Sequence, residues 1–194
     1  MRDPEASDSF TLDQLEEVFR IAGSTTVMLQ TGDGWCRDSN FLGRTTKTLA
    51  YTGMHISVLS GGWRHDDGAT AYHPPLDSSA IRGDFLYWRR PKNQKPIAMP
   101  IKKDISPWLG AFLDQKRPRS VSRYQQLLDE LSEKVGFSCN PLRFRHTCGV
   151  ILYHVLKLDG AVVQRMLGCT AQTLLTYIIR TKEEIRKEMV EKGW

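Results

Sequence analysis

Residues 140–177 read NPLRFRHTCGVILYHVLKLDGAVVQRMLGCTAQTLLTY, and the fold turns on how that stretch divides into helices. Pro141 suits the first turn of a helix, where its missing N–H would have had no intrahelical partner. The run behind it predicts one long helix to about Lys157. Asp159 to Leu167 reads as a short helix ended by Gly168, and Thr170 can cap the next. Thr181 and Glu184 have capping-box spacing for a final helix in the tail. Two polar residues stand out. Arg145 lies among Leu142, Phe144, Val150 and Ile151, a setting that argues against a plain surface salt bridge. Tyr177 closes the stretch. Packing is the ordinary use of a helix aromatic, so its role depends on its neighbours.

Upstream, the chain divides into a helical block, a short β region and another helical block. Thr11 and Gln14 have capping-box spacing, with Leu12, Leu15, Val18, Phe19 and Ala22 on one face and Gly23 as the stop. Residues 31–40 (TGDGWCRDSN) read as a loop. Phe41 to Thr52 reads as a helix stopped by Gly53, with a helical turn at 55–60 and a glycine-rich break after it. Three short strands are expected at ATAYH (69–73), DFLYWR (84–89) and PIAMPI (96–101), the last two forming a hairpin. Pro96 and Pro100 place the last strand at an edge. Asp104 is expected to cap a helix carrying Trp108, Leu109 and Phe112, and Ser120 to start another that ends at Gly136. The sum is a mainly helical α+β domain with a small three-stranded antiparallel sheet.

Composition narrows the function classes. No apolar run approaches the roughly 20 residues a bilayer requires, and the opening MRDPEASDSF is too polar for a secretory signal. Cys36, Cys139, Cys148 and Cys169 form no CxxC pair, so neither a zinc site nor a disulfide framework is expected. No metal or cofactor is required, and a cytoplasmic, nucleoid-associated protein is expected. The net charge of +5 conceals an asymmetry: residues 82–123 hold 11 Lys/Arg and 3 Asp/Glu, whereas the remainder holds 16 and 19. Such a basic concentration is the footprint of a polyanion partner, nucleic acid before membrane.

The quoted segment resembles the tyrosine recombinases of the phage-integrase type. The resemblance rests on Arg145-His146-Thr147 at a helix start, a short helix ending in Leu167-Gly168, and Tyr177 soon after. LAYTGMHISVL (49–59) is similar to the family's Thr-Gly-x-Arg-x-Ser box, and KNQKPIAMPI (92–101) to its lysine-bearing hairpin. The likeness covers about residues 10 to 180. It implies a single catalytic domain over 1–194, with its core at 10–180 and a tail helix at 181–194. The family's separate N-terminal core-binding domain is expected to be missing.

The resemblance also implies a reaction. Tyr177 would attack a scissile phosphodiester and remain joined to the 3′-phosphate. Arg145 and His55 would grip that phosphate, since guanidinium presents a fixed fork of donors that never loses its charge. Lys92 would protonate the departing 5′-oxygen, with Lys95 as the fallback. Arg89, Arg90, Lys95 and Arg143 are candidate contacts to double-stranded DNA. His146 reads as structural.

Several positions depart from the family pattern. His55 stands where the first clamping arginine is expected, Leu142 where a histidine is expected, and Cys169 where a His or Trp is expected. A phosphate at His55 is expected to raise its pKa and give the pH–rate profile a low alkaline limb. Two readings follow: a recombinase that acts by strand cleavage and rejoining, and an integrase-like DNA-binding module with impaired catalysis. Self-association on DNA is expected, and the tail stripe Ile178, Ile185 and Met189 suits either a neighbouring protomer or its own domain.

Overall fold

The structure, a computed structural model, describes residues 9–31, 34–66, 69–91 and 94–178; at 31, 63–66, 69–72 and 176–178 it describes the backbone alone. The expected tail helix at 181–192 and Lys92 lie outside these residues.

Helix α1 (Leu12–Ser24) opens on Thr11, whose hydroxyl accepts from Gln14 N–H while the Gln14 side chain accepts from Thr11 N–H, the reciprocal capping box that the spacing predicted. α2 (Phe41–Thr52) ends at Gly53 in a left-handed conformation. The two helices cross closely: a Cβ on Gly43 would lie 3.0 Å from the Gly23 Cα. α3 (Ile56–Ser60) follows. α4 (Ser106–Asp114) and α5 (Val121–Val135) complete the wall around Phe41, Phe112 and Tyr124, whose rings meet 5.7–6.0 Å apart. α6 (Pro141–Val150) continues as one π-type turn over Ile151–Val155, and the chain leaves it at Lys157, where φ is +56°. α7 (Gly160–Leu167) is capped by Asp159, and α8 (Ala171–Ile178) by Thr170, whose hydroxyl accepts from Thr173 N–H at 3.2 Å.

The three-stranded antiparallel sheet runs β5–β6–β7. Of these, β6 (Phe85–Arg89) and β7 (Pro96–Pro100) form the predicted hairpin, with Leu86 opposite Met99 and Trp88 opposite Ile97, all four buried. Its third member is β5 (Ile81–Arg82), not residues 69–73. Those residues form β4 (Ala69–His73), which pairs instead with β3 (Gly62–Asp66), a stretch read as a break because of its glycines.

The loop expected over 31–40 is corrected as well. β1 (Val27–Thr31) and β2 (Gly34–Asp38) form a hairpin there. Val27 and Leu29 point inward, whereas Gly34 to Arg37 are all exposed, so β2 carries no apolar alternation to read. Asp104 does not cap α4. Ile105 occupies that position, and Lys102 Nζ takes the Asp104 carboxylate at 2.5 Å. No helix among the described residues is long and apolar enough to cross a membrane.

Gly53 shows how tightly α2, α6 and α7 meet. At φ +59°, a Cβ there would lie 2.6 Å from Leu167 Cδ2 and 3.2 Å from Cys148 Sγ. Gly53→Ala is expected to cost about 2–4 kcal/mol, combining left-handed strain with overpacking. Gly136, at φ +78° with nothing within 4 Å of a Cβ, is the control: Gly136→Ala is expected to cost only about 1 kcal/mol. Urea unfolding of the two variants measures the difference.

Candidate active site

Asn140 starts α6 by accepting the Arg143 N–H on its side chain at 2.9 Å, and one turn later the helix turns Arg145 into the interior. Arg145 is 5% exposed. Its Nη1 donates to Gly53 O and its Nη2 to Leu167 O, each at 2.6 Å. One guanidinium therefore pins the end of α2, the end of α7 and α6 together. Two of its five N–H donors are used in this way. The C-terminal carbonyls of α7 are a favourable place for a cation, being the negative end of the helix dipole.

His55 follows two residues after Gly53 and is half-buried. Burial, with the positive charges of Arg145 and Arg90, holds its imidazole well below the ordinary range, at about 4. It is therefore neutral at pH 7 in the DNA-free chain; the rise expected from the sequence concerns the phosphate-bound state. Cys169 is buried one residue beyond Gly168, and burial pushes its thiol up while Arg145 and Arg90 pull it down. Leu142, one turn before Arg145, is 58% exposed and supplies no proton donor.

Arg90, a candidate DNA contact from the sequence, lies near enough for its charge to act on His55 and Cys169. It is half-buried and donates from Nη1 to Gly168 O at 2.6 Å. It follows β6 directly and keeps the parity of Leu86 and Trp88, which face inward. Arg89 and Lys95, by contrast, are exposed, with Arg89 Nη1 donating to Gln94 O at 3.1 Å. Arg143 is turned toward the N-terminal segment. It donates to Ser138 O, Ser9 O and Gln14 Oε1, and its guanidinium lies 4.4 Å from the Phe10 ring centre.

Tyr177 lies in the last turn of α8, which packs against α6 and α7, the helices that carry Arg145 and lead into Cys169. Among the described residues no cluster of three or more His, Cys, Asp or Glu could hold a metal ion.

The anchoring at Arg145 is testable as stability. Arg145→Met leaves Gly53 O and Leu167 O without buried donors and is expected to cost about 2–4 kcal/mol. Arg145→Lys, one point charge facing two separate carbonyls, is expected to recover only part of the loss in chemical denaturation.

No protein-family model matches the chain, and no curated protein matches it. Solved structures do. The chain is similar to the XerA recombinase, with 17% identity and a TM-score of 0.66 over 96% of this chain and 63% of that one. It is similar to the Tn1549 transposon integrase, solved in complex with transposon right end DNA, with 16% identity and a TM-score of 0.62 over 98% of this chain and 67% of that one. The catalytic domain of bacteriophage HP1 integrase aligns at 13% identity with a TM-score of 0.59, over 95% of this chain and 94% of that one. The chain thus spans a little under two thirds of the XerA recombinase and nearly all of the isolated HP1 catalytic domain. These likenesses, together with the helical blocks and the three-stranded sheet, give the chain the fold of a tyrosine recombinase catalytic domain, with other residues at several of the expected active-site positions.

Proposed function

We propose that this protein recombines DNA at specific sites, cutting and rejoining strands through a 3′-phosphotyrosine at Tyr177. The observation that carries the reading is the buried Arg145, whose two 2.6 Å bonds draw residues 53–55 and 167–169 to one place beside α8. In the proposed step, the Tyr177 oxygen loses its proton to water and bonds to phosphorus as the bond to the 5′-oxygen breaks, and Lys92 gives the leaving oxygen a proton. The free 5′-hydroxyl reverses the step on the same or another strand, so no ATP is needed. Arg145 and His55 hold the non-bridging oxygens.

A second reading, a DNA-binding module with impaired catalysis, is favoured by neutral His55, apolar Leu142 and the protonated Cys169 thiol. Incubation with nicked duplexes that trap the cut state separates the two. The first reading expects an SDS-resistant protein–DNA adduct whose peptide maps to Tyr177. Specific binding with no adduct supports the second.

Both readings expect duplex binding that weakens steeply with salt, because phosphate contacts release counterions. Arg89→Glu and Lys95→Glu, on exposed positions of the hairpin, are each expected to flatten the log–log salt slope by about 1 and to leave the fold intact. Fluorescence anisotropy at 50–300 mM salt reads this. Binding that does not respond to salt would count against both readings.

A further inference from the structure

At the end of α7 two adjacent carbonyls are taken by two different guanidiniums. Leu167 O accepts from Arg145, and Gly168 O accepts from Arg90, each at 2.6 Å. The arginines come from elements far apart in sequence, α6 and the end of β6, and reach the same helix end. Gly168, at φ +61°, is required by Ile97, whose Cδ1 would lie 2.3 Å from a Cβ there. Arg90 packs on the same residue at ordinary contact distance, its Cδ 3.7 Å from that point, and is half-buried as a whole. Its Nε is buried and makes no hydrogen bond. His55 is close enough to sense both cations.

We propose that Arg90 is the second guanidinium of the phosphate clamp, supplying from the hairpin the fixed positive charge that position 55 lacks. This rests on the DNA-binding reading above, but not on cleavage. Several features support it. An anion beside His55 would lie within reach of the fields of both Arg145 and Arg90, the two cations that act on its imidazole. A neutral imidazole can then serve as a hydrogen-bond donor without carrying the charge itself. Arg90 also has what an exposed phosphate-contacting lysine lacks, a fixed anchor at Gly168 O that pre-orients its remaining donors. A purely structural Arg90, capping the α7 carbonyl, would need none of this coupling to a phosphate.

The test uses the full chain and a duplex site selected from a random library. Each phosphate in turn is replaced by a neutral methylphosphonate, and affinities are measured for wild type, Arg90→Ala, Arg90→Lys and His55→Ala. Arg90→Ala is expected to weaken binding to the unmodified site about tenfold. That loss should vanish when one particular phosphate is neutral, because the charge Arg90 would meet is gone. The same phosphate should mask the His55→Ala loss. Arg90→Lys, which keeps the charge, should restore most of the affinity. The proposal is overturned if the Arg90→Ala loss persists with every phosphate replaced in turn, or is masked at a phosphate other than the one that masks His55→Ala. Should Arg90→Ala lower the melting temperature, Arg90→Gln, which removes the charge but keeps a donor and much of the stem, is read on the same two substrates and gives the coupling. Convergence without an adduct leaves the clamp standing on the DNA-binding reading. A wild type that binds no duplex removes the function and the clamp together.

Discussion

Tyr177→Phe is expected to abolish the covalent protein–DNA adduct, by at least about 10³-fold, while duplex affinity and melting temperature stay at wild-type values. The substitution removes one oxygen and keeps the ring. The hydroxyl is the only atom of the side chain that can displace the 5′-oxygen. A free phenol has a pKa of about 10, so attack near neutrality needs nearby positive charge. The helices that α8 packs against carry it: α6 holds Arg145, and the end of α7 holds Arg90 through Gly168 O. The measurement is adduct yield on nicked duplex, with affinity and thermal melting as controls. An adduct of undiminished yield in Tyr177→Phe would remove Tyr177 as nucleophile.

His55 is expected to have the second large effect, in two separate observables. The first is stability. Its folded pKa of about 4 lies below the ordinary value of 6.5 because burial and two arginines oppose its charge. The unfolded chain therefore binds a proton that the folded chain refuses, and folding stability falls as the pH is lowered from about 6.5 to about 4. The loss amounts to up to about 3 kcal/mol and levels off below that window. His55→Gln is expected to remove this share of the acid sensitivity, which urea midpoints at pH 7 and pH 4.5 would register.

The second observable is the rate. With the imidazole neutral at pH 7, a phosphate held there as proposed would receive an N–H and no charge from position 55. His55→Arg is expected to speed adduct formation by up to about 10²-fold if its fork reaches the phosphate. His55→Ala is expected to slow it. The arginine also places a third guanidinium beside Arg145 and Arg90, so the DNA-free variant should be less stable at pH 7 and regain stability when DNA is bound. Because the starting pKa is low, the wild-type rate should rise with pH between 6 and 8 as Tyr177 ionises, without the alkaline limb that the sequence suggested. A fall in rate across that interval would mean that bound phosphate draws His55 into its charged form.

The architecture was legible where it depends on neighbours in sequence. The capping box at Thr11 and Gln14, the stops at Gly53, Gly136 and Gly168, and the caps at Asp159 and Thr170 all lie within one helical turn of the groups they satisfy. The hairpin of β6 and β7 was legible because two short runs of aromatic and aliphatic residues flank a polar, basic turn. β2 was not, because its pairing with β1 is carried by the backbone while its side chains face solvent. The partners of Arg143 were hidden for a related reason: nothing local announces that a guanidinium will be held by Ser9, Gln14 and the Phe10 ring, more than a hundred residues away.

The same division holds at the candidate site. The sequence by itself singled out the candidate residues, because Arg145, His55, Cys169 and Tyr177 stand at recognisable places relative to helix starts and stops. Only the tertiary structure decided what state they are in. Arg145 bonds to carbonyls 92 and 22 residues away, and Arg90 to one 78 residues away. Every residue type offers the same carbonyl, so no pattern of side chains marks the acceptors. The ionisation of His55 follows from those meetings, since burial and the fields of two arginines are properties of the folded chain.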